Sequence, residues 1–262
     1  SASWRGGNRL KFLNHTASIN KQWQASEQSM LWLYNLHYFD DLFAVDTERT
    51  PVEQKELILD WWQVHQSQQG IAWDPYPTSL RAVNLCKWHW LNNADFSLIA
   101  EQEFSQLLAR HYVEIKRKLE YHLQANHLFA NLKALWFLQA ALPEYRHKDG
   151  HWLQAKLLKE LAIQFDADGG HFELSPMYHR IMLWDVMDML VVARQVADFS
   201  ECVEPLQSVA EKGLTWMQAL AHPDSEVAFF NDGSFGIAPK MERLESYASL
   251  LELQGSQPQN TR

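Results

Sequence analysis

Tyr178, His179 and Arg180 follow directly on Ser175-Pro176-Met177. A Ser before a Pro reads as a helix N-cap with proline in the first turn. Three groups able to move protons or pair with anions therefore open a long apolar helix, expected from Met177 to Ala197. Ahead of them runs Asp168-Gly169-Gly170-His171-Phe172-Glu173-Leu174. Its two glycines free the backbone for a sharp turn, and Phe172 to Leu174 reads as a short strand. Further polar and aromatic groups gather at other breaks between helices: Trp73, Tyr76, Arg81 and Asn84, then Asn126 and His127, then Asn231 and Asp232. Each has a structural reading of its own, Asn126 as an N-cap, His127 as a packed histidine, Asn231-Asp232-Gly233 as a turn, Arg81 in a surface ion pair. Loops held by a rigid scaffold are also where reacting groups are delivered to a cleft, and the collection favours that second reading.

Three chemistries suit such groups. Metal ligation wants His and carboxylate at close spacing. No His-Glu-x-x-His run exists, so no metal site is expected, and His222 with Asp224 is turn chemistry. Inverting glycoside hydrolysis wants an acid and a base on opposite sides of a sugar; Glu173 fits one role, with Asp168, Asp232 or Asp74 as partner. Proton abstraction next to a carboxylate, with elimination across a uronic acid, needs three things. A donor must stabilise the carboxylate as it becomes enolate-like, a Tyr or His must act as base, and an acid must protonate the leaving oxygen. Asn126, His127, Tyr178 and Arg81 are the right types for that set.

The elements that must position these groups are helices, about nine or ten with short linkers. Arg9 to Leu13 reads as a short strand, and a helix is expected to start near Leu36. Thr50-Pro51 with Glu53 is a capping box, opening a helix to about Gln69. Two prolines in Trp73-Asp74-Pro75-Tyr76-Pro77 imply extended backbone before a helix from Leu80 to Leu91, on which Arg81, Asn84 and Lys87 share a face. Further helices are expected over 101–123, 128–141 (capped by Asn126), 151–166, 204–220 and 239–253, with a strand-turn at 228–233. No fixed sequence period stands out, which argues against a regular solenoid. Successive antiparallel hairpins suit an all-α fold, an incomplete (α/α) toroid, with a superhelical solenoid as the alternative.

Composition narrows the partners. Of 262 residues, 47% are apolar, enough for a substantial core. Twelve Trp and thirteen Phe serve either such a core or sugar stacking. A net charge of −9 argues against nucleic-acid binding and means that an anionic substrate must meet a local positive patch. Cys86 and Cys202 read as buried free thiols. No apolar run approaches the roughly 18 residues of a membrane span.

Five stretches together resemble the heparinase II/III family of polysaccharide lyases. They are Tyr34-Asn35-Leu36-His37-Tyr38-Phe39-Asp40, Trp73-x-Pro75-Tyr76-Pro77-x-Ser79-x-Arg81-x-x-Asn84, Asn126-His127-Leu128-Phe129-Ala130-Asn131, the Gly169-to-His179 run and Phe230-Asn231-Asp232-Gly233. The resemblance extends over about residues 10 to 250. It implies an incomplete (α/α) toroid that acts on acidic polysaccharide by β-elimination, with no cofactor and no metal at the reacting carbon. It makes Asn126 the residue that neutralises the uronate carboxylate and Tyr178 a proton-transfer residue, with His127 a further contributor. Trp73, Tyr76, Arg81, Asn84, His171, Glu173, His179 and Asn231 become substrate contacts, and a protonated His179 or Arg180 would help Tyr178 to ionise. The expected organisation is a lead-in over 1–30, the toroid over 31–254 and a polar tail over 255–262. Family members continue into a C-terminal β-sandwich, expected to be missing from this chain and to act as its partner over the cleft. The substrate class points to the periplasm or the cell exterior. A toroid that binds acidic glycan without turnover and an (α/α)-barrel hydrolase remain open.

Overall fold

The computed structural model describes residues 2–93, 102–121, 125–220, 231, 233 and 237–255. The chain divides into two compact units, Ser1–Glu120 with Phe137–Arg146, and Tyr121–Trp136 with His147–Arg262. Nine α-helices and one small two-stranded sheet make up the described regular structure.

The first unit begins with an antiparallel hairpin, β1 (Arg9–Phe12) and β2 (His15–Ser18), with Phe12 opposite His15. Leu13 and Asn14 between them both have positive φ, the pair that a two-residue hairpin turn requires. Helix α1 (Met30–Leu36) is capped by Ser29, whose Oγ accepts from Trp32 N. The helix therefore ends at Leu36 instead of starting there, because Phe39 takes a left-handed conformation that no helix continues through. Helix α2 (Pro51–Val64) carries the expected capping box in full: Glu53 N donates to Thr50 Oγ1, and Thr50 N donates to Glu53 Oε2.

After a 3₁₀ turn at Ile71–Trp73, helix α3 (Pro75–Asn92) starts five residues earlier than expected. Pro75 and Pro77 do not interrupt it, since both fall in the first turn, where a backbone N–H has no helical acceptor anyway. Helix α4 (Gln102–Arg117) buries Phe104, Leu107, Leu108, His111, Tyr112 and Ile115 at the spacing of a single face.

Helix α5 (Ala125–Ala141) and helix α6 (Pro143–Gln164) follow, with parts of each in both units. Asn126 lies inside α5 and is not its cap. Pro143 opens α6 instead of merely ending α5, again as a first-turn proline. The second unit is built round α7 (Pro176–Gln195), which buries residues on every side, among them Met182, Leu183, Val186, Met187 and Leu190. A helix buried on every side is a core element. Each fully buried Leu or Met contributes about 1.5–3 kcal/mol. A 3₁₀ turn at Ala197–Cys202 brings Phe199 flat against Trp136, with ring centroids 3.8 Å apart. Helix α8 (Val203–Ala219) and helix α9 (Met241–Leu250) complete the unit.

Phe172 to Leu174 is a turn and not a strand: His171 makes a single bridge to Phe165, and Leu174 has φ +51°. The strand expected at 228–233 lies outside the described residues except for Asn231 and Gly233. Cys86 and Cys202 are buried and unpaired. Among the described residues no helix is long and apolar enough to cross a membrane.

Candidate functional site

The turn before α7 is held by its own backbone. Gly169 N donates to Asp166 O, Asp166 N to Gly170 O, and Gly170 N to Asp168 Oδ1 at 3.0 Å. Phe172 N then reaches Gln164 O at 2.9 Å. Ser175 caps the helix, its Oγ accepting from Tyr178 N at 3.4 Å, and Pro176 occupies the first position. Pro176, Met177, His179 and Arg180 are all buried, and Tyr178 alone in this first turn is partly exposed.

The two histidines beside it are spent on structure. His179 Nδ1 accepts from His171 N, so its proton sits on Nε2 and is donated to Gly213 O at 2.9 Å. His171 Nε2 pairs with Gln164 Oε1 at 3.0 Å, and its Nδ1 lies 3.7 Å from Glu173 Oε2. Burial lowers both imidazoles to about 4. His179 is therefore neutral at physiological pH and supplies no charge to Tyr178, contrary to the sequence expectation. Neither ring is accessible for contact with a glycan as placed. Glu173 is partly exposed. Asn231 is exposed and donates from Nδ2 to Leu174 O at 3.0 Å.

Asn126 and His127 occupy the first turn of α5, both partly exposed. Two bonds fix how α5 lies against α7. Lys133 Nζ meets Asp185 Oδ1 across 52 residues, and further along Trp136 Nε1 donates to Met189 O across 53. Both numbers rise together, so the helices run parallel. Asn126 and Tyr178 are also 52 apart. Each stands seven residues, one heptad, N-terminal to its member of the Lys133–Asp185 pair.

In the first unit, Arg81 is fully buried. Its Nε donates to His111 Nε2 at 2.8 Å and its Nη1 to His37 O at 2.9 Å, while the guanidinium lies 4.0 Å over the Trp61 ring. The fork expected to grip an anionic sugar is engaged inside the protein, because α3 turns this face towards α4 and the 37–38 backbone. Trp73 is buried too, donating to His65 O and packing 4.9 Å from His111. Asn84, partly exposed, donates to Tyr38 O and Asp40 Oδ1. Tyr76 is partly exposed, its ring edge-on to Tyr38. Sequence reasoning missed His37, His65 and His111 around Arg81. The signal was present for His111, which stands in the apolar stripe of α4 between Leu107 and Ile115.

Burial lowers all three of these histidines, and the Arg81 charge lowers them further. A base with a depressed folded value takes up protons preferentially when unfolded, so stability is present above the unfolded value of ~6.5 and is lost as pH falls. For His171 and His179 the window runs from about 6.5 down to about 4, a loss near 2 kcal/mol each by about pH 5. The thermal midpoint, followed by helical circular dichroism, should therefore decline steadily from neutrality through pH 5. A flat profile would show that these rings are charged in the folded chain.

The family profile described as Heparinase II/III N-terminus matches residues 12–257. The chain belongs to that family. Two solved structures share the fold of this heparinase-family chain. Heparan sulfate lyase HepC from Pedobacter heparinus has a TM-score of 0.64 at 17% identity, covering 96% of this chain and 45% of that one. A heparinase III, solved with methylated lysines, has a TM-score of 0.62 at 17% identity, covering 92% and 45%. The likeness shows the fold, the all-α incomplete (α/α) toroid class expected from the sequence. The chain spans just under half the length of the structures it matches. A sequence search of curated proteins returns no match.

Proposed function

We propose that this heparinase-family chain serves the cleavage of a uronic-acid-containing polysaccharide by β-elimination. One observation supports the reading: Tyr178 is the sole partly exposed residue of its helix turn, and it and Asn126 each stand one heptad N-terminal to the Lys133–Asp185 pair that joins two parallel helices. Asn126 offers an amide N–H₂ and Tyr178 a phenol O–H, each in the first turn of its helix, where partial positive charge favours an anionic sugar.

The chemistry follows from the types. A base removes the proton next to the carboxylate, and the electron pair moves onto the carboxylate, which gains enolate character. Asn126 has no proton to exchange at these pH values and can only donate hydrogen bonds to that group. The carbon–oxygen bond to the next sugar then breaks, leaving a double bond in the ring. The departing oxygen takes a proton from an acid such as Tyr178. His127, beside Asn126, is the base this reading favours. Glu173 and Asn231, on the turn beside Tyr178, are proposed as sugar contacts, and the buried His171 and His179 as the packing behind that turn.

The test is digestion of a panel of acidic polysaccharides, read by ultraviolet absorbance and by reducing ends. Elimination yields both signals. New reducing ends without absorbance would indicate hydrolysis, and binding without either would indicate a glycan-binding module. In an active protein, Asn126→Ala should lower kcat about 10²–10³-fold, as for loss of an oxyanion donor. A change of less than threefold would remove Asn126 from the reaction.

A further inference from the structure

An ion cluster lies one heptad below the proposed site. Lys133, on α5, is buried and places Nζ 2.6 Å from Asp185 Oδ1 and 2.5 Å from Asp188 Oδ2, both on α7. Tyr247 of α9 donates its hydroxyl to Asp188 Oδ1 at 2.9 Å. Lys133 is seven residues after Asn126, and Asp185 is seven after Tyr178. Seven residues advance a helix by ~10.5 Å and return to within ~20° of the same face. Each charged partner thus stands on the same helix face as the site residue above it, two turns down.

Apolar packing alone would not require this cluster. A buried ion pair adds little net stability over well-packed hydrocarbon, and its best-attested use is to fix register. Here the apolar contacts of α5 and α7 tolerate small slides, whereas the charges do not. A one-residue shift of α5 would turn Lys133 by ~100° and draw its ammonium away from the partly exposed Asp185 and the buried Asp188. We infer that Lys133, Asp185 and Asp188 are positioning residues that hold Asn126 level with Tyr178, an inference that rests on the proposed β-elimination. They touch no sugar. Their effect is transmitted along α5 and α7, and Tyr247 orients Asp188 from α9.

The prediction is a loss of turnover without a loss of binding. Asp185→Asn keeps the shape and removes one charge. Measured on the acidic polysaccharide that the parent cleaves best, it should lower kcat about 10²-fold, the effect of a misplacement near 1 Å, with KM within about twofold of the parent. Tyr247→Phe, which deletes only a hydroxyl, should act in the same direction by several-fold and keeps the test open should Asp185→Asn unfold. A second readout needs no activity: spin labels on Asn126→Cys and Tyr178→Cys, with Cys86 and Cys202 replaced by Ala, report the separation of the two positions by dipolar coupling. The parent should give one narrow short distance, and Asp185→Asn a broadened or displaced one. Parental kcat in both variants, or an unchanged label distance whatever the kcat, would overturn the inference. A parent chain with no elimination activity would overturn the functional reading instead, and the label distances would still decide the positioning role.

Discussion

Tyr178→Phe should abolish most turnover of the acidic glycan while folding and glycan affinity survive. The aromatic ring remains, so the packing of the α7 first turn is unchanged. The helix cap also remains, because Ser175 Oγ holds the backbone N–H of residue 178 and not its side chain. No described residue bonds the Tyr178 hydroxyl, so its removal orphans no described group. What disappears is one transferable proton. A phenol keeps that proton at neutral pH and suits donation to a departing sugar oxygen, and a positioned acid or base is worth about 10²–10⁴-fold. Kinetics on the best substrate, with affinity measured separately, check the expectation. If the Phe variant turned over within a few-fold of the parent, Tyr178 would be a structural residue and the mechanism wrong.

Gly169→Ala should be the most damaging single methyl in the turn that feeds α7. Gly169 has φ +92°, and a Cβ there would lie 2.4 Å from Lys212 C and 2.6 Å from Lys212 O. That obstacle is the backbone of α8, which cannot swing aside as a flexible side chain can. The substitution therefore parts the turn from α8 or unfolds it, at a cost of roughly 3 kcal/mol or more. Gly6 is a natural control, with φ +90° and nothing within 4 Å of its built Cβ. Gly6→Ala pays the backbone strain alone, of order 1 kcal/mol. Urea unfolding of both variants separates the two contributions. Equal midpoints would mean that α8 yields to the methyl, and the packing at Gly169 would then carry no special constraint.

What the sequence made legible was local. The Thr50 and Glu53 capping box, and Ser175 with Pro176, depend on residues three apart or fewer, and both formed as read. Prolines misled because their meaning depends on position: Pro75 opens α3 where extended backbone was expected, and Pro143 opens α6 where the next helix was expected only from residue 151. Asn126 was read as a cap, but α5 begins before it at Ala125. Burial was the least legible property. Arg81 looks like an anion grip from its type and spacing, yet only the packing of α3 against α4 reveals that His111 and Trp61 enclose it. His179, beside Tyr178 in sequence, is buried and bonds Gly213 O.

The parallel run of α5 beside α7 changes which distances along the chain matter. The 52-residue step from Asn126 to Tyr178 passes through α6 and a turn, and nothing in the pairing of α5 with α7 counts it. The two steps of seven, from Asn126 to Lys133 and from Tyr178 to Asp185, are counted strictly. Homologous chains should therefore vary freely in the length of the connecting segment, while a single-residue insertion inside either step should be absent from any active copy. An Asn-x6-Lys paired with a downstream Tyr-x6-Asp is then a recognisable mark of the same geometry in chains too diverged to align.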